Sequence, residues 1–376
     1  MALTSKANEM RQNGEDVLVL TVGEPDFDTP QYIKEAAKNA IDKGQTKYTS
    51  VDGTVNLKKA IINKFKNDNN LDYQIDEIIV SAGCKQSIFN LLQVLIEEGD
   101  EVIIPQPYWV SYADMVVYSG GTPIMLETSY EENFDINPSK FEALLTDKTK
   151  LFMLNSPNNP SGKYFNSELL KKLGDILLKY KDIYVSSDDI YEHIHWNKEK
   201  FHNIVNACPK LKDRTIVLNG VSKAYSMTGW RIGYAAGNKE IIKKMKTLQS
   251  QSTSCASSIS QAAACAALSQ TCDEMPLMTK EYKKRHDYVV NELNLIDGVI
   301  CKETDGTFYV FPSFKEYIIN SKKITNDTEL ALHLLNTAKV AVVPGSAFGQ
   351  EGHIRISIAI DMDSLKEAMK RIADSL

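Results

Sequence analysis

Long apolar runs are missing from this sequence of 376 residues, whereas a membrane-spanning helix needs about 20 consecutive apolar residues. The N-terminal stretch MALTSKANEMRQNGEDV also has no apolar core of the kind found in secretory signal peptides. The six cysteines form no C-x-x-C pair and no zinc-ligand spacing, and the six histidines form no H-E-x-x-H pattern. We therefore predict free thiols, no metal, no membrane partner and a cytoplasmic location.

An excess of positive charge is missing as well. The chain has 43 Lys and Arg against 49 Asp and Glu, a net charge of −6. Nucleic-acid binding requires a basic surface, and short lysine clusters such as Lys243-Lys244 lie among helix-forming residues, as on a solvated helix face. The sequence thus predicts no nucleic-acid partner. Its length fits two domains.

What the sequence does contain is an alternation of Ile- and Val-rich runs with longer amphipathic segments. The runs begin near Glu77 and read EIIVSAG, EVIIP, TPIMLE, KLFMLNSP, DIYVSSDD and RTIVLNG. This alternation predicts βαβ units and an α/β fold with a mostly parallel sheet between helices. After about Met275 a long charged helix and strands near Val299, Phe308 and Val340 predict a smaller α+β domain. We predict a large domain of residues 30–275 and a small domain of residues 1–29 and 276–376.

Two cations lie close together in the segment NGVSKAYSMTGWRIGYAAG, which contains no acidic residue. Lys223 follows the apolar run TIVLNG and is surrounded by small residues, which let a ligand approach the backbone. A lysine in this setting is either a solvated surface group or the amine of a Schiff base with a carbonyl compound or pyridoxal phosphate. Arg231 offers the planar group that binds a phosphate through two hydrogen bonds. Together the two residues indicate one phosphorylated carbonyl ligand.

A pyridine ring that serves as an electron sink needs a carboxylate beside its nitrogen. The segment VSSDDIYEH offers Asp188, with Tyr191 three residues further on. Asp188 follows the buried run IYVSS, where an unpaired charge is unfavourable, so we expect it to have a cationic partner. The neighbouring Asp189 has the alternative of capping a helix.

Further polar residues follow other predicted strands. Asn159 lies in NSPNNPSG, a turn by composition, from which its amide can donate to the 3′ oxygen of the ring. Gly83 lies in SAGCKQ between a strand and a helix start, where free N–H groups and the helix dipole can bind phosphate. Trp109 in PQPYWVSY either stacks on the ring or belongs to the core.

The segments SKAYSMTGWRIGY, SDDIYE and NPSG together resemble those of fold-type-I pyridoxal-phosphate enzymes in the class I/II aminotransferase family. The matching motifs extend from VGEPDFDTP to HIRISIA, almost the whole chain. The resemblance implies a seven-stranded sheet in the large domain, pyridoxal 5′-phosphate as cofactor, and Lys223 as the amine that binds it as a Schiff base and then moves the substrate proton. It further implies these cofactor contacts: Asp188 at the ring nitrogen, Tyr191 and Asn159 at the 3′ oxygen, Trp109 on the ring face, and Arg231 with the Gly83 and Cys84 backbone at the phosphate.

The same resemblance implies the partner subunit and the substrate contacts. Tyr48 in TKYTSVDG matches a tyrosine that reaches the phosphate of the neighbouring subunit, which implies a homodimer with shared sites. Arg355 matches the arginine that binds the substrate α-carboxylate, and Gly23, Trp109 and Asn159 line the same region. Taken alone, Arg355 would be interpreted as a salt-bridge partner.

Lys85 is the residue that indicates the substrate. In the bacterial-type aspartate aminotransferase subgroup, which this chain resembles, a lysine in G-x-K-Q binds the distal carboxylate; a surface lysine at the helix start is the alternative. The resemblance implies ping-pong transfer of the amino group from L-aspartate to 2-oxoglutarate, giving oxaloacetate and L-glutamate.

Several alternatives stay open. Some members of the subgroup also accept prephenate or a broader range of donors, and a carbon–sulfur lyase can use the same fold. Family members usually begin earlier than MALTSKANEM, with residues that close over the site and with a threonine that helps in the prephenate reaction, so the resemblance implies a truncated N-terminus. Cys84 stands where relatives often have Gly or Ala, but only its backbone N–H is needed.

Overall fold

The strands of the protein lie in one large and two small sheets. The computed structural model describes residues 2–376, and its strands are β1 (Leu18–Val19), β2 (Ile78–Ser81), β3 (Glu101–Pro105), β4 (Thr122–Leu126), β5 (Thr149–Asn155), β6 (Tyr184–Asp188), β7 (Thr215–Gly220), β8 (Gly233–Ala236), β9 (Tyr309–Val310), β10 (Val340–Ala341), β11 (Val343–Pro344) and β12 (Ile354–Ser357). Seven of them form a central sheet in the order β2-β8-β7-β6-β5-β3-β4. Its pairs are parallel, except that β8 is antiparallel to both β2 and β7. The predicted mostly parallel seven-stranded sheet is confirmed.

The helices are α1 (Ala2–Gln12), α2 (Gln31–Asp42), α3 (Val55–Asn69), α4 (Cys84–Leu95), α5 (Ser111–Tyr118), α6 (Pro138–Leu144), α7 (Ser167–Leu177), α8 (Ile204–Ala207), α9 (Lys239–Ser252), α10 (Ser258–Ser269), α11 (Glu274–Leu293), α12 (Lys315–Asn320), α13 (Asp327–His333) and α14 (Met362–Ser375). Many begin at a side chain that accepts a hydrogen bond from the first turn, as Thr54, Asn137, Asn166, Asn238 and Asp361 do. Within residues 2–376, no helix combines the length and the apolar character that crossing a membrane requires.

Both faces of the central sheet are covered, because side chains alternate between the faces along each strand. On β5, Phe152 and Leu154 belong to a buried cluster with residues of α2, α3, α7 and α10. Leu151 and Met153 of the same strand point to the other face, into a cluster with residues of α4, α5 and α9. These central strands are therefore apolar on both sides, which explains their continuous Ile- and Val-rich runs.

The C-terminal part of the chain forms smaller sheets. Strands β11, β12 and β9 make an antiparallel sheet, and β1 pairs with β10 in parallel. Leu20, from the predicted small domain, packs in one buried cluster with residues of α11, α14, β9 and β12 of the same predicted domain. Tyr191, from the predicted large domain, belongs to this cluster as well. The domain bounds stay a prediction, and Met1 lies outside the described residues. The strand predicted near Val299 is wrong: Ile300 forms only an isolated bridge with Ser313.

Candidate active site

Three neighbouring parallel strands bring the predicted site residues to one edge of the sheet. β5 ends at Asn155 and β6 at Asp188, and these two residues pair directly. β7 ends at Gly220, three residues before Lys223. Because ligands of open α/β sheets bind beyond the carboxyl ends of the strands, this edge is the expected location of a site.

Lys223 is held at this edge by the N-terminal segment. Its Nζ donates a hydrogen bond of 2.5 Å to the backbone oxygen of Gly23. Burial lowers the pKa of Lys223 to about 8; the charges of Arg355 and Arg231 lower it further, whereas Glu24 and Asp188 oppose them. A lysine with this pKa is neutral often enough near neutral pH to attack a carbonyl carbon, as an amine that binds pyridoxal phosphate must.

Asp188 is a buried carboxylate that accepts hydrogen bonds but has no counter-ion. The Tyr112 hydroxyl donates to it at 2.6 Å, and the Ile190 N–H and Cys84 thiol lie at 3.3 and 3.9 Å. No Lys, Arg or His lies within salt-bridge distance of Asp188 in the described chain, so a neighbouring side chain does not supply the expected cationic partner. Burial raises the pKa of Asp188 to about 6, although these hydrogen bonds and the charge of Lys223 lower it. A protonated ring nitrogen would provide the missing positive charge.

Asp189, next in sequence, has a different role. It accepts hydrogen bonds from Ser187 and Asn203 at 2.7 and 2.8 Å, and Asn203 is the residue that caps α8. Asp189 thus anchors a helix start instead of capping the helix itself.

The predicted phosphate-binding residues surround the start of α4. Gly83 precedes the helix with φ +85°, and a Cβ at this position would overlap the guanidinium group of Arg231. Arg231 is exposed, donates to the Thr228 oxygen at 2.9 Å, and has no acid within salt-bridge distance among residues 2–376. A free guanidinium beside the first N–H groups of a helix fits a phosphate dianion.

Arg355 lies on β12, in the small antiparallel sheet. Its guanidinium donates to the side-chain oxygen of Asn159 at 3.0 Å and to the backbone oxygen of Thr21 at 2.7 Å. Its Nε has no partner, and no carboxylate lies within salt-bridge distance of the side chain in the part of the chain described. The salt-bridge interpretation of Arg355 is therefore not supported. A buried guanidinium without an anion fits a substrate carboxylate.

Asn159 is oriented by two contacts. Its side-chain oxygen accepts from Arg355, and its backbone N–H donates to the Asn155 side chain at 2.9 Å. With the oxygen directed to Arg355, the amide N–H₂ group is the remaining donor, as hydrogen bonding to a ring oxygen requires. Tyr191 is buried nearby, and its hydroxyl lies 3.1 Å from that of Tyr309.

Lys85 and Trp109 form a pair at the rim of the site. Lys85 Nζ lies 4.6 Å from the centre of the Trp109 ring and donates to the Ser111 hydroxyl at 3.2 Å. Burial, and then the charge of Arg231, lowers the pKa of Lys85. Tyr48 is not brought into this group within the chain: its side chain is 92% exposed.

Sequence reasoning missed three residues that contact the predicted ones. Asn155 donates to the backbone oxygen of Asp188 at 2.9 Å, and Tyr112 donates to the Asp188 carboxylate. The Tyr309 hydroxyl contacts that of Tyr191, and the Tyr309 ring packs on the Arg355 guanidinium. Tyr112 follows Trp109 by three residues in PYWVSY, and Asn155 ends a predicted strand. Both positions were visible in the sequence, but their partners come from distant segments.

The fold and the chemistry of these side chains define a pyridoxal-phosphate-dependent transferase. The chain belongs to the family described as aminotransferase class I and II, whose model matches residues 15–372. It is therefore an aminotransferase, which acts on amino and oxo acids with pyridoxal phosphate as cofactor. The buried Asp188 without a counter-ion, the narrow space between Gly83 and Arg231, and the desolvated Lys223 amine all fit this cofactor.

Relatives cover nearly the whole chain. It is 50% identical to the aspartate/prephenate aminotransferase of Nitrosomonas europaea, over 100% of this chain and 96% of the relative. Identity to an aspartate aminotransferase of Rhizobium meliloti is 46%, over 99% of this chain and 92% of the relative. Among solved structures, aspartate aminotransferase from Rhizobium meliloti has a TM-score of 0.96 and 45% identity, covering 100% of this chain and 94% of its own. Aspartate aminotransferase from Thermus thermophilus with maleate has a TM-score of 0.93 and 39% identity, covering 100% and 96%.

Proposed function

We propose that this aminotransferase moves the amino group of L-aspartate to 2-oxoglutarate, giving oxaloacetate and L-glutamate by a ping-pong route. The observation that carries the proposal is a pair of cations without acidic partners. Arg355 is buried at one side of Lys223, and Lys85 lies beside Trp109 at the rim. Aspartate, glutamate and their oxo acids carry two carboxylates, one for each cation. The relatives named above are aspartate or aspartate/prephenate aminotransferases.

The site residues take the following roles in this proposal. The cofactor, when bound, supplies an electron sink for the pair left on the substrate Cα. Lys223 would hold the cofactor through its amine and, as the free amine, would be the base that takes the proton from the substrate Cα. Asp188 would keep the ring nitrogen protonated, because a buried carboxylate attracts an adjacent cation more strongly than an exposed one does.

The remaining residues bind and orient. Tyr191 and Asn159 would donate to the 3′ oxygen of the cofactor, and Trp109 would contact its ring. Arg231 and the N–H groups at Gly83 and Cys84 would hold the phosphate. Arg355 binds the α-carboxylate beside Gly23, and Lys85 binds the distal one. The substrate is thus fixed at both ends, so that its Cα–H bond faces Lys223.

We also propose that the protein is a homodimer whose sites are shared. Tyr48 supports this, because its side chain is 92% exposed in one chain, whereas a second copy can bring it to the phosphate. We further propose that the protein is located in the cytoplasm.

A second candidate activity is transfer to prephenate, since the relative that is 50% identical is named an aspartate/prephenate aminotransferase. L-Glutamate as donor and prephenate as acceptor, followed by detection of the amino product, tests it directly. Pyruvate release from cystathionine would instead indicate a carbon–sulfur lyase.

The specificity is tested with single amino donors. Each donor is added to the cofactor-loaded protein, and the loss of the visible cofactor absorbance is followed. We expect aspartate and glutamate to react much faster than alanine and phenylalanine. Lys85→Ala should slow the first two by roughly 10²-fold, since a charged hydrogen bond and its orientation are lost, and leave the other two nearly unchanged. An equal loss for all four donors would contradict the role of Lys85.

A further inference from the structure

Tyr309 contacts two residues of the candidate site, Tyr191 and Arg355, with one side chain. It lies on β9, which pairs with β12, the strand that carries Arg355. The centre of its ring lies 4.5 Å from the guanidinium carbon of Arg355, and its hydroxyl lies 3.1 Å from the Tyr191 hydroxyl. The same hydroxyl occupies the space where a Cβ at Gly23 would be. The side chain is fully buried, so these contacts are fixed by packing.

The hydroxyl pair has a direction once the function of Tyr191 is considered. Each hydroxyl has one proton, and in the pair by itself either oxygen can be the donor. If Tyr191 donates its proton to the 3′ oxygen of the cofactor, its own oxygen can only accept, so Tyr309 must be the donor. A hydroxyl that accepts such a bond becomes a stronger donor to the next group.

The surroundings keep both hydroxyls protonated. Burial raises the pKa of Tyr191, and so do Tyr309 and the charge of Asp188, against the charge of Arg355. Burial also raises the pKa of Tyr309, although the charge of Arg355 and the hydrogen bond with Tyr191 lower it in part. Tyr309 therefore retains the proton that it donates near neutral pH.

The ring has a second contact of its own. Arg355 donates to Asn159 and Thr21, while the Tyr309 and Phe348 rings lie at 4.5 and 4.8 Å from its guanidinium carbon. A guanidinium packed on aromatic rings is attracted by their negative faces and cannot rotate freely. Its orientation for a carboxylate is thereby set before substrate arrives.

We propose that Tyr309 is a positioning residue of the active site: its hydroxyl fixes the Tyr191 hydroxyl as donor to the cofactor 3′ oxygen, and its ring orients Arg355. The first half of this inference depends on the function proposed above for Tyr191.

The test compares the variants Tyr309→Phe, Tyr191→Phe and the double variant, each loaded with cofactor. The pH at which the visible absorbance of the bound cofactor changes is measured without substrate. A weaker donor makes the 3′ oxygen more basic, so we expect a rise of roughly half a pH unit to one unit in Tyr309→Phe and a larger rise in Tyr191→Phe. Because Tyr309 acts through Tyr191, the double variant should titrate like Tyr191→Phe alone.

The matched control is Tyr73→Phe. Tyr73 is also buried, and its hydroxyl has no hydrogen-bond partner among the residues described, so its loss should leave the titration unchanged. The role of the Tyr309 hydroxyl would be overturned if the pH of the absorbance change shifted in Tyr191→Phe but not in Tyr309→Phe. It would also be overturned if the two shifts in this pH added in the double variant. If Tyr191→Phe itself has no effect, the role of Tyr191 fails, while the donor survey above still tests aspartate transfer.

The ring contact is tested by the KM of the amino donors. Tyr309→Phe keeps the ring and should leave the KM for aspartate within about twofold, whereas Tyr309→Leu should raise it roughly tenfold with a smaller change in kcat. Equal KM values for the Phe and Leu variants, both checked by thermal unfolding, would overturn the ring's role.

Discussion

Asp188 and Arg355 are 6% and 7% exposed, and neither forms a salt bridge within residues 2–376. A buried charge without a partner destabilises the folded chain, which is why such residues are uncommon outside functional sites. Here the two charges have opposite signs, and both act on the pKa of Lys223. A ligand with a cationic ring and a carboxylate compensates both at once, so its binding should also stabilise the fold.

A prediction at this scale concerns Asp188→Asn in the cofactor-free protein. The amide retains the size of the carboxyl group but removes the uncompensated charge. The rise of the Asp188 pKa from 3.8 to about 6 corresponds to roughly 3 kcal/mol. We therefore expect the variant to be more stable by a few kcal/mol at pH 7.5, and its aminotransferase activity to fall by roughly 10²-fold or more. Urea unfolding and the initial rate with aspartate measure the two effects.

The sign of the pH dependence follows from linkage. Between about pH 4 and 6 the unfolded chain has released the Asp188 proton while the folded chain still holds it, so stability falls as pH rises through this window. The greater stability of Asp188→Asn over the parent protein should therefore develop between about pH 4 and 6 and be absent below pH 4. Asp175→Asn, on the exposed surface of α7, is the control. A variant less stable than the parent at pH 7.5 would contradict the argument.

At the scale of elements, a buried acid joins the loops that carry the site. Glu192 directly follows Tyr191 and accepts hydrogen bonds from Lys64 of α3, from Asn69 at 2.6 Å and from Asn219 of β7 at 2.7 Å. Burial alone would raise the Glu192 pKa, but Lys64, His193 and these hydrogen bonds lower it to about 2. The loops after β6 and β7 are thereby tied to one helix, which fixes Tyr191 and Lys223 relative to each other.

A double-mutant cycle tests this connection. Glu192→Leu removes the buried acid that pairs with Lys64, and Lys64→Met removes the buried cation that pairs with Glu192. Asn69 still contacts whichever charge remains, with Asp68 near Lys64 and His193 near Glu192, so each single variant should lose about 3 kcal/mol of stability, the lower end of the range for a broken buried pair. The double variant buries no charge and should recover most of that loss. Urea unfolding of the four proteins gives the coupling energy. Additive losses would show that the pair does not act as a unit.

The elements also show what could be predicted from the sequence. The runs EIIVSAG and DIYVSSDD were predicted as strands because β-branched residues repeat within them, and they form β2 and β6. β8 was not among the predicted runs, since GYAA contains no β-branched residue, and its place between β2 and β7 is set by distant pairing. Likewise, Asp188 and Lys223 could be placed at the edge of the sheet because they end or follow predicted strands. Asn155, Tyr112 and Tyr309 were missed, because their contacts are with residues far away in sequence.

At the scale of the whole molecule, the site described in one chain lacks a contact that the proposal requires. Tyr48 is 92% exposed, and Arg231 is exposed without an acidic partner among the described residues. In the homodimer proposed above, Tyr48 of the second copy would supply the hydroxyl that bonds the phosphate. The homodimer would then be a condition for cofactor binding as well as an assembly state.

Mixed dimers test whether the sites are shared. In a dimer of one Lys223→Ala chain and one Tyr48→Phe chain, one site contains both changes and the other contains neither. Tyr48→Phe alone should weaken cofactor binding roughly tenfold, the loss of one charged hydrogen bond, and Lys223→Ala should be inactive. After unfolding and joint refolding, the mixture assayed at low cofactor should exceed the sum of the parents, because each mixed dimer has about half of its sites intact. As a control, refolding Tyr48→Phe with the double variant Lys223→Ala/Tyr48→Phe forms no native site, so the activity of that mixture should not exceed the sum of its parents. If the first mixture shows no gain in activity either, Tyr48 serves its own chain.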